Sequence, residues 1–476
     1  MLTFVFLLLA SSEVLCGAGD RVIPTKTGPV HGETVRTRDP RTDTPLTYIS
    51  YKNVPFAKPP VGDLRFAAPQ PLSAGEGGNM NSNVTYMRAC YQLGNLFGSL
   101  HNTTSTNTLT HNLSDLLPNL FDSDEDCLYL HVHVPVPQEP QYPLPVMIWF
   151  TGGAFIFGRY SQNTSTHTGH LVTLSGSGNW YGPKYWMSHD VILVTVNYRV
   201  GPFGFLSFGV EEVAGNQGLL DQRMAMVWVK ENIASFGGDP ERVTIAGQSA
   251  GSFSVFYHMI SPGSAGLYSR IIGQSGMAAL APAFHHWAPK QASRLGNEIA
   301  IGLGCFNLDI NRQIQCMKEV SPLALSGAEF ANGLISQPVF DRDYLDQPFF
   351  PIDPAKALET GHFTQDVDVL LGCNAHDGLL ATQIIIGFNN LFFNTFFNNW
   401  DRLGPVLLFH KHTYEVSEKD KEMANLVLAH YTGTLNVTTD HIPNITRWAF
   451  TVLKCSNRFT QDVHRRCIPV RDYQVY

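Results

Sequence analysis

The sequence predicts an α/β fold, with a central, mostly parallel sheet flanked by helices. Three observations carry this expectation. Val146-Met-Ile-Trp-Phe150 and Val191-Ile-Leu-Val-Thr-Val196 are short apolar runs with the composition of strands buried on both faces. A helical pattern begins at Asn216-Gln-Gly-Leu-Leu-Asp221 and continues through Val227, Trp228, Val229 and Ile233. Strands alternating with such helices imply parallel pairing with both sheet faces covered. The third observation is local. Val243-Thr-Ile-Ala-Gly-Gln-Ser-Ala-Gly251 reads as a strand that breaks at Gly247 and continues as a helix carrying Phe253, Val255, Phe256 and Met259.

Composition bounds the remaining possibilities. The 476 residues are 44% hydrophobic and 15% charged, enough for a large core. A net charge of -8 without a basic block argues against nucleic acid as a partner. Leu2 to Ala10 is too short to span a bilayer and is followed by small residues, so residues 1–19 read as a secretory signal peptide and 20–476 as one domain. Sequons at Asn83, Asn102, Asn112, Asn163, Asn436 and Asn444 fit a secreted glycoprotein. Among eight cysteines, Cys90 with Cys127 and Cys305 with Cys316 look like disulfide-closed loops, although spacing does not fix connectivity.

Taken in order, residues 22–70 hold Gly28-Pro-Val-His-Gly32 and a proline-rich stretch from Asn53 to Phe66, and read as an irregular edge segment. Asp124-Glu-Asp-Cys-Leu-Tyr-Leu130 leads into a strand. After the apolar run ending at Phe150 comes Thr151-Gly152-Gly153-Ala154-Phe155, at the carboxyl end of a buried strand, where an α/β sheet offers backbone N–H groups to a ligand. In Gly247-Gln248-Ser249-Ala250-Gly251 the glycines leave room for a tight strand-to-helix turn that presents the serine hydroxyl to a base. The N–H of Ala250, at the new helix N-terminus, is placed to donate to an oxyanion. Arg270 to Gly276 and Asp366 to Leu371 are further strands. No H-E-x-x-H or C-x-x-C metal signature and no phosphate-binding glycine loop occur, so no metal or cofactor is expected.

Together these motifs resemble the type-B carboxylesterase and cholinesterase family of α/β-hydrolases, from about residue 22 to the end. The resemblance rests, in order, on Pro55-Phe-Ala-Lys-Pro-Pro-Val-Gly62, Glu125 to Leu130, the Gly-Gly loop, Asn197-Tyr-Arg-Val-Gly201, Asn216 to Gln222, Phe236-Gly-Gly-Asp-Pro240 and the serine turn. It implies Ser249 as nucleophile, the N–H groups of Gly153, Ala154 and Ala250 as oxyanion hole, and Asp377 as triad acid where relatives usually have glutamate. The substrate class it implies is a small-molecule carboxylic ester. Gln248 resembles some juvenile-hormone-esterase-like members, and the 90–127 loop lacks the tryptophan that cholinesterases use to hold a quaternary ammonium, so a choline-ester preference is not expected. The triad histidine is expected in a His-Gly turn after a strand resembling Cys467 to Tyr476, where the sequence ends. The C-terminal part of the fold is therefore expected to be incomplete and the chain 1–476 to be a poor or inactive esterase. An alternative is a catalytically impaired, cholinesterase-like binding or adhesion protein.

Overall fold

The apolar runs ending at Phe150 and Val196 lie side by side in one sheet. The computed structural model describes residues 21–77, 89–92, 123–136, 143–156, 182–276, 289–331, 336–341, 345–372, 400–401, 417–434 and 467–469. Its strands are β1 (Arg21–Pro24), β2 (Pro29–Arg38), β3 (Pro45–Pro55), β4 (Ala89–Cys90), β5 (Ser123–Asp124), β6 (Tyr129–Pro135), β7 (Leu144–Phe150), β8 (Ile192–Val196), β9 (Gly238–Gln248), β10 (Arg270–Gln274), β11 (Asp368–Gly372) and β12 (Cys467–Pro469). The helices are α1 (Gly201–Phe205), α2 (Gln217–Asn232), α3 (Ala250–Ile260), α4 (Pro289–Gly302), α5 (Ile310–Glu319), α6 (Pro322–Ala331), α7 (Pro354–Thr360) and α8 (Glu418–Thr432).

Ten strands form one sheet in the order β1-β2-β3-β6-β8-β7-β9-β10-β11-β12, while β4 and β5 pair separately. From β8 onward all pairings are parallel. Those from β1 to β8 are antiparallel. The central strands carry almost unbroken burial, as strands covered on both faces must. Their side chains, among them Leu130, Ile148, Phe150, Val194 and Ile245, join Leu219, Val229 and Phe256 of the covering helices in the main core.

Residues 21–55 correct the expectation of an irregular edge. They form an antiparallel meander, with a register shift between Tyr51 and Val54 where β3 meets β6. Gly32 sits inside β2 because the Tyr51 ring lies over it, within 2.5 Å of where a Cβ would be. That ring, packed edge-on against Phe236, supplies the contact the glycine lacks.

Among the described residues there are two disulfides. Cys90 and Cys127 have Cα atoms 4.9 Å apart and lie in the main core. Cys305 and Cys316, with Cα atoms 5.5 Å apart, fasten the segment that follows α4 to the C-terminal half of α5, beside a second cluster containing Phe203, Ile314 and Met317. Among the described residues no helix is long and apolar enough to cross a membrane. Residues 1–19, Asp377 and Asn83, Asn102, Asn112, Asn163, Asn436 and Asn444 lie outside the described residues.

Candidate active site

At the carboxyl end of β9 the backbone turns sharply into α3, and Ser249 occupies the turn with φ 55° and ψ -122°. A non-glycine residue held there is strained, and it persists only where neighbours over-determine the backbone. Here they do. The Ser249 N–H donates to the Gln274 carbonyl at 2.9 Å, and the Ser249 carbonyl accepts from the Phe253 N–H at 2.9 Å. Ser252 Oγ donates to the Gly276 carbonyl at 2.5 Å, which ties the end of β10 to the first turn of α3.

Both turn glycines are sterically required. A Cβ on Gly251 would collide with the Phe150 carbonyl at the end of β7, and one on Gly247 would meet the Gly251 backbone. The neighbouring strand, the turn and the helix therefore approach as closely as bare backbone allows.

The loop after β7 lies against this turn. A Cβ on Gly152 would come 2.5 Å from the Gln248 carbonyl and 3.0 Å from Ser249 Cβ, so the loop backbone packs closely on the serine turn. Gly153, Ala154 and Phe155 follow with φ of 130°, 54° and 61°. The Ile156 N–H donates to the Gly153 carbonyl at 3.0 Å, closing a tight turn whose two central residues have positive φ, in the sense of type I′. In a trans peptide the N–H points opposite to the C=O. Turning the Gly153 carbonyl inward thus turns the Ala154 N–H outward.

Three further contacts hold the loop. Tyr198 Oη donates to the Thr151 carbonyl at 2.7 Å, Gln337 Nε2 to the Ala154 carbonyl at 3.2 Å, and the Gly201 N–H to the Phe155 carbonyl at 2.7 Å. The Phe155 ring is fully buried, edge-on to Phe205 and stacked with Tyr257 of α3. Tyr198 and Gly201 belong to the segment Asn197 to Gly201, which is anchored by a buried ion pair. Arg199 Nε and Nη2 each lie 2.8 Å from the Asp221 carboxylate on α2. A fork-to-fork pair of this kind fixes direction as well as charge.

Ser249 and Ala250 are consecutive at the start of α3, and Gly153 and Ala154 directly follow Gly152, which packs on the Ser249 turn. Ala250 is the first residue of α3, where a backbone N–H has no intrahelical acceptor and the helix dipole favours negative charge. The arrangement offers a serine hydroxyl at a helix N-terminus, beside a loop whose Gly153 and Ala154 N–H groups have no hydrogen-bond acceptor among the described residues. Among the described residues none hydrogen-bonds to Ser249 Oγ. His258, on the same helix, has both ring nitrogens engaged, with Ser264 Oγ at 2.9 Å and Gln222 Oε1 at 3.0 Å. Its pKa is held well below the usual value by burial and, secondarily, by the nearby Arg223 charge. It is a packed neutral imidazole. Sequence reasoning assigns no role to the side chains of Gln337 and Tyr198; Gln337 lies 183 positions from its partner and carries no local signal.

Residues 19–460 match the model of the Carboxylesterase family. A carboxylic ester hydrolase of Bombus ignitus is 34% identical over 81% of this chain and 62% of its own length. Venom carboxylesterase-6 of Apis mellifera is 31% identical over 94% of this chain and 73% of its own length. Juvenile hormone esterase of Tribolium castaneum is 34% identical over 82% of this chain and 60% of its own length. The chain thus spans about two thirds of the length of these curated relatives.

Proposed function

Because the chain belongs to the Carboxylesterase family and so has the α/β-hydrolase fold, we propose that it is a secreted serine hydrolase of small-molecule carboxylic esters working through an acyl-enzyme. The observation that carries the proposal is the packing of Gly152 on the strained Ser249 turn, directly before the positive-φ residues Gly153 to Phe155. Ser249 Oγ attacks the ester carbonyl, and the carbonyl oxygen gains negative charge as it becomes tetrahedral. The N–H groups of Gly153, Ala154 and Ala250 face that charge; removing one such donor typically costs about 10² to 10³ in kcat. Collapse expels the alcohol and leaves the acyl group on Ser249. Water then repeats the addition and releases the acid.

Both steps need a base for the serine or water proton. We assign this to a histidine supplied from outside the described residues and oriented by Asp377. Secretion is supported by the two disulfides, which persist in oxidising compartments, and by the sequons and the apolar leader-like run Leu2 to Ala10. The test is hydrolysis of p-nitrophenyl acetate by the protein carrying that histidine and by its Ser249→Ala variant. Turnover abolished in the variant is the expected result. Equal rates for the two proteins would refute Ser249 as nucleophile.

A further inference from the structure

The loop that carries the Gly153 and Ala154 donors is strained, and its supports converge on one buried carboxyl group. Ala154 and Phe155 both have positive φ without being glycine, a conformation that relaxes unless the carbonyls on either side are fixed. The Ala154 carbonyl is held by Gln337 Nε2 and the Phe155 carbonyl by the Gly201 N–H. Gln337 and Gly201 come from distant parts of the chain. What they share is Glu329, on α6.

One carboxylate oxygen of Glu329 accepts the backbone N–H of Ser336, the residue before Gln337. The other lies 3.2 Å from the position a Gly201 Cβ would occupy, where Gly201 itself has φ 55°. Glu329 is 4% exposed, Gln337 6% and Ser336 1%. Burial pushes the Glu329 carboxyl up to about 7, and the Ser336 N–H pulls it back only in part. An ionisable group kept in such a place, away from any described counter-charge within ion-pair distance, costs free energy that an apolar side chain would not. Its geometry says what it does there: it fixes the start of the Ser336-Gln337 segment while packing against Gly201.

We propose that Glu329 is a positioning residue for the oxyanion loop, acting through Ser336 and Gln337 on the Ala154 carbonyl and by contact on Gly201. The inference rests on the esterase reading for its kinetic consequence, while its structural consequence can be measured without turnover. In Glu329→Ala the Ser336 N–H loses its acceptor, Gln337 is released and the turn Gly153 to Ile156 opens. In Glu329→Gln the amide oxygen still accepts that N–H, so the loop stays in place. Gln337→Met keeps volume but cannot donate to Ala154.

The experiment is hydrogen exchange of the backbone amides of residues 151–156, measured by mass spectrometry alongside steady-state kinetics on p-nitrophenyl acetate, with thermal melting of each variant as a control for folding. Faster exchange in Glu329→Ala and in Gln337→Met, with Glu329→Gln at wild-type protection, is the expected pattern. Kinetically, kcat should fall about tenfold to a hundredfold in the same two variants at nearly constant KM, as for a misplacement of about 1 Å, and Glu329→Gln should stay within about threefold. The double variant Glu329→Ala/Gln337→Met should be no worse than the poorer single variant, since both break one path. Unchanged exchange in Glu329→Ala would overturn the proposal, as would failure of Glu329→Gln to restore protection, or fully additive losses. Should Glu329→Ala not fold, Gln337→Met and Glu329→Gln decide by the same criteria. A wild-type protein without esterase turnover would count against the function proposed for the site, and the exchange pattern would still decide the role of Glu329.

Discussion

The histidine pair on β6 should make the fold acid-sensitive in a way that one substitution isolates. His131 and His133 are 2% and 0% exposed, with rings stacked 6.0 Å apart. His131 Nδ1 accepts the Asn53 N–H at 3.2 Å, so a proton on that nitrogen would replace an attraction with a clash of donors. His133 Nδ1 pairs with Ser50 Oγ at 3.1 Å. Burial, followed by the Lys52 charge, pushes His133 down to about 3, and burial, followed by the charges of His133 and Lys52, pushes His131 well below its usual value. In the unfolded chain each takes up a proton near pH 6.5. Between that pH and the folded value the unfolded state binds more protons, so stability falls as pH falls, by about 1.4 kcal/mol per pH unit per histidine. From pH 7.5 to 5.0 His133 therefore removes about 2 kcal/mol, and His131 acts in the same direction. Asn places an acceptor near the Nδ1 position and does not titrate, so His133→Asn should shrink the difference in unfolding free energy between those pH values by about 2 kcal/mol, whatever its absolute cost. Urea unfolding at the two pH values measures this. A difference equal to that of the wild type would refute the assignment of a buried, neutral His133.

Two further substitutions address the site. Tyr198→Phe leaves the Thr151 carbonyl buried without its phenol donor, and should cost about 1 to 3 kcal/mol of stability and lower kcat with KM little changed; thermal melting and steady-state kinetics check both. Asp377→Asn should reduce kcat by about 10⁴ if this residue orients the base, as measured on p-nitrophenyl acetate, whereas a loss under about tenfold would place the triad acid elsewhere.

What the sequence made legible was whatever is encoded locally. The β7, β8 and β9 runs are buried on both faces and announce themselves by composition, and the Ser249 turn needs glycine at both 247 and 251 because backbone lies where their Cβ atoms would be. The β2 and β3 strands were hidden for the opposite reason. Gly32 looks like a break until Tyr51, 19 positions on, is seen to cover it. His131 and His133 alternate with Leu130, Val132 and Val134 as exposed residues of a one-faced strand would, yet both faces of β6 are covered. The loop supports are the least legible, since Gln337 reaches Ala154 and Glu329 reaches Gly201 only through the tertiary fold.

Whether Ser249 is the nucleophile is tested most directly by its covalent capture. A fluorophosphonate, which mimics the tetrahedral intermediate and bonds to an activated serine, should add one equivalent to the protein, and peptide mapping should place the adduct on Ser249, with none formed by Ser249→Ala. Labelling at another residue, or continued ester hydrolysis by Ser249→Ala, would contradict the account.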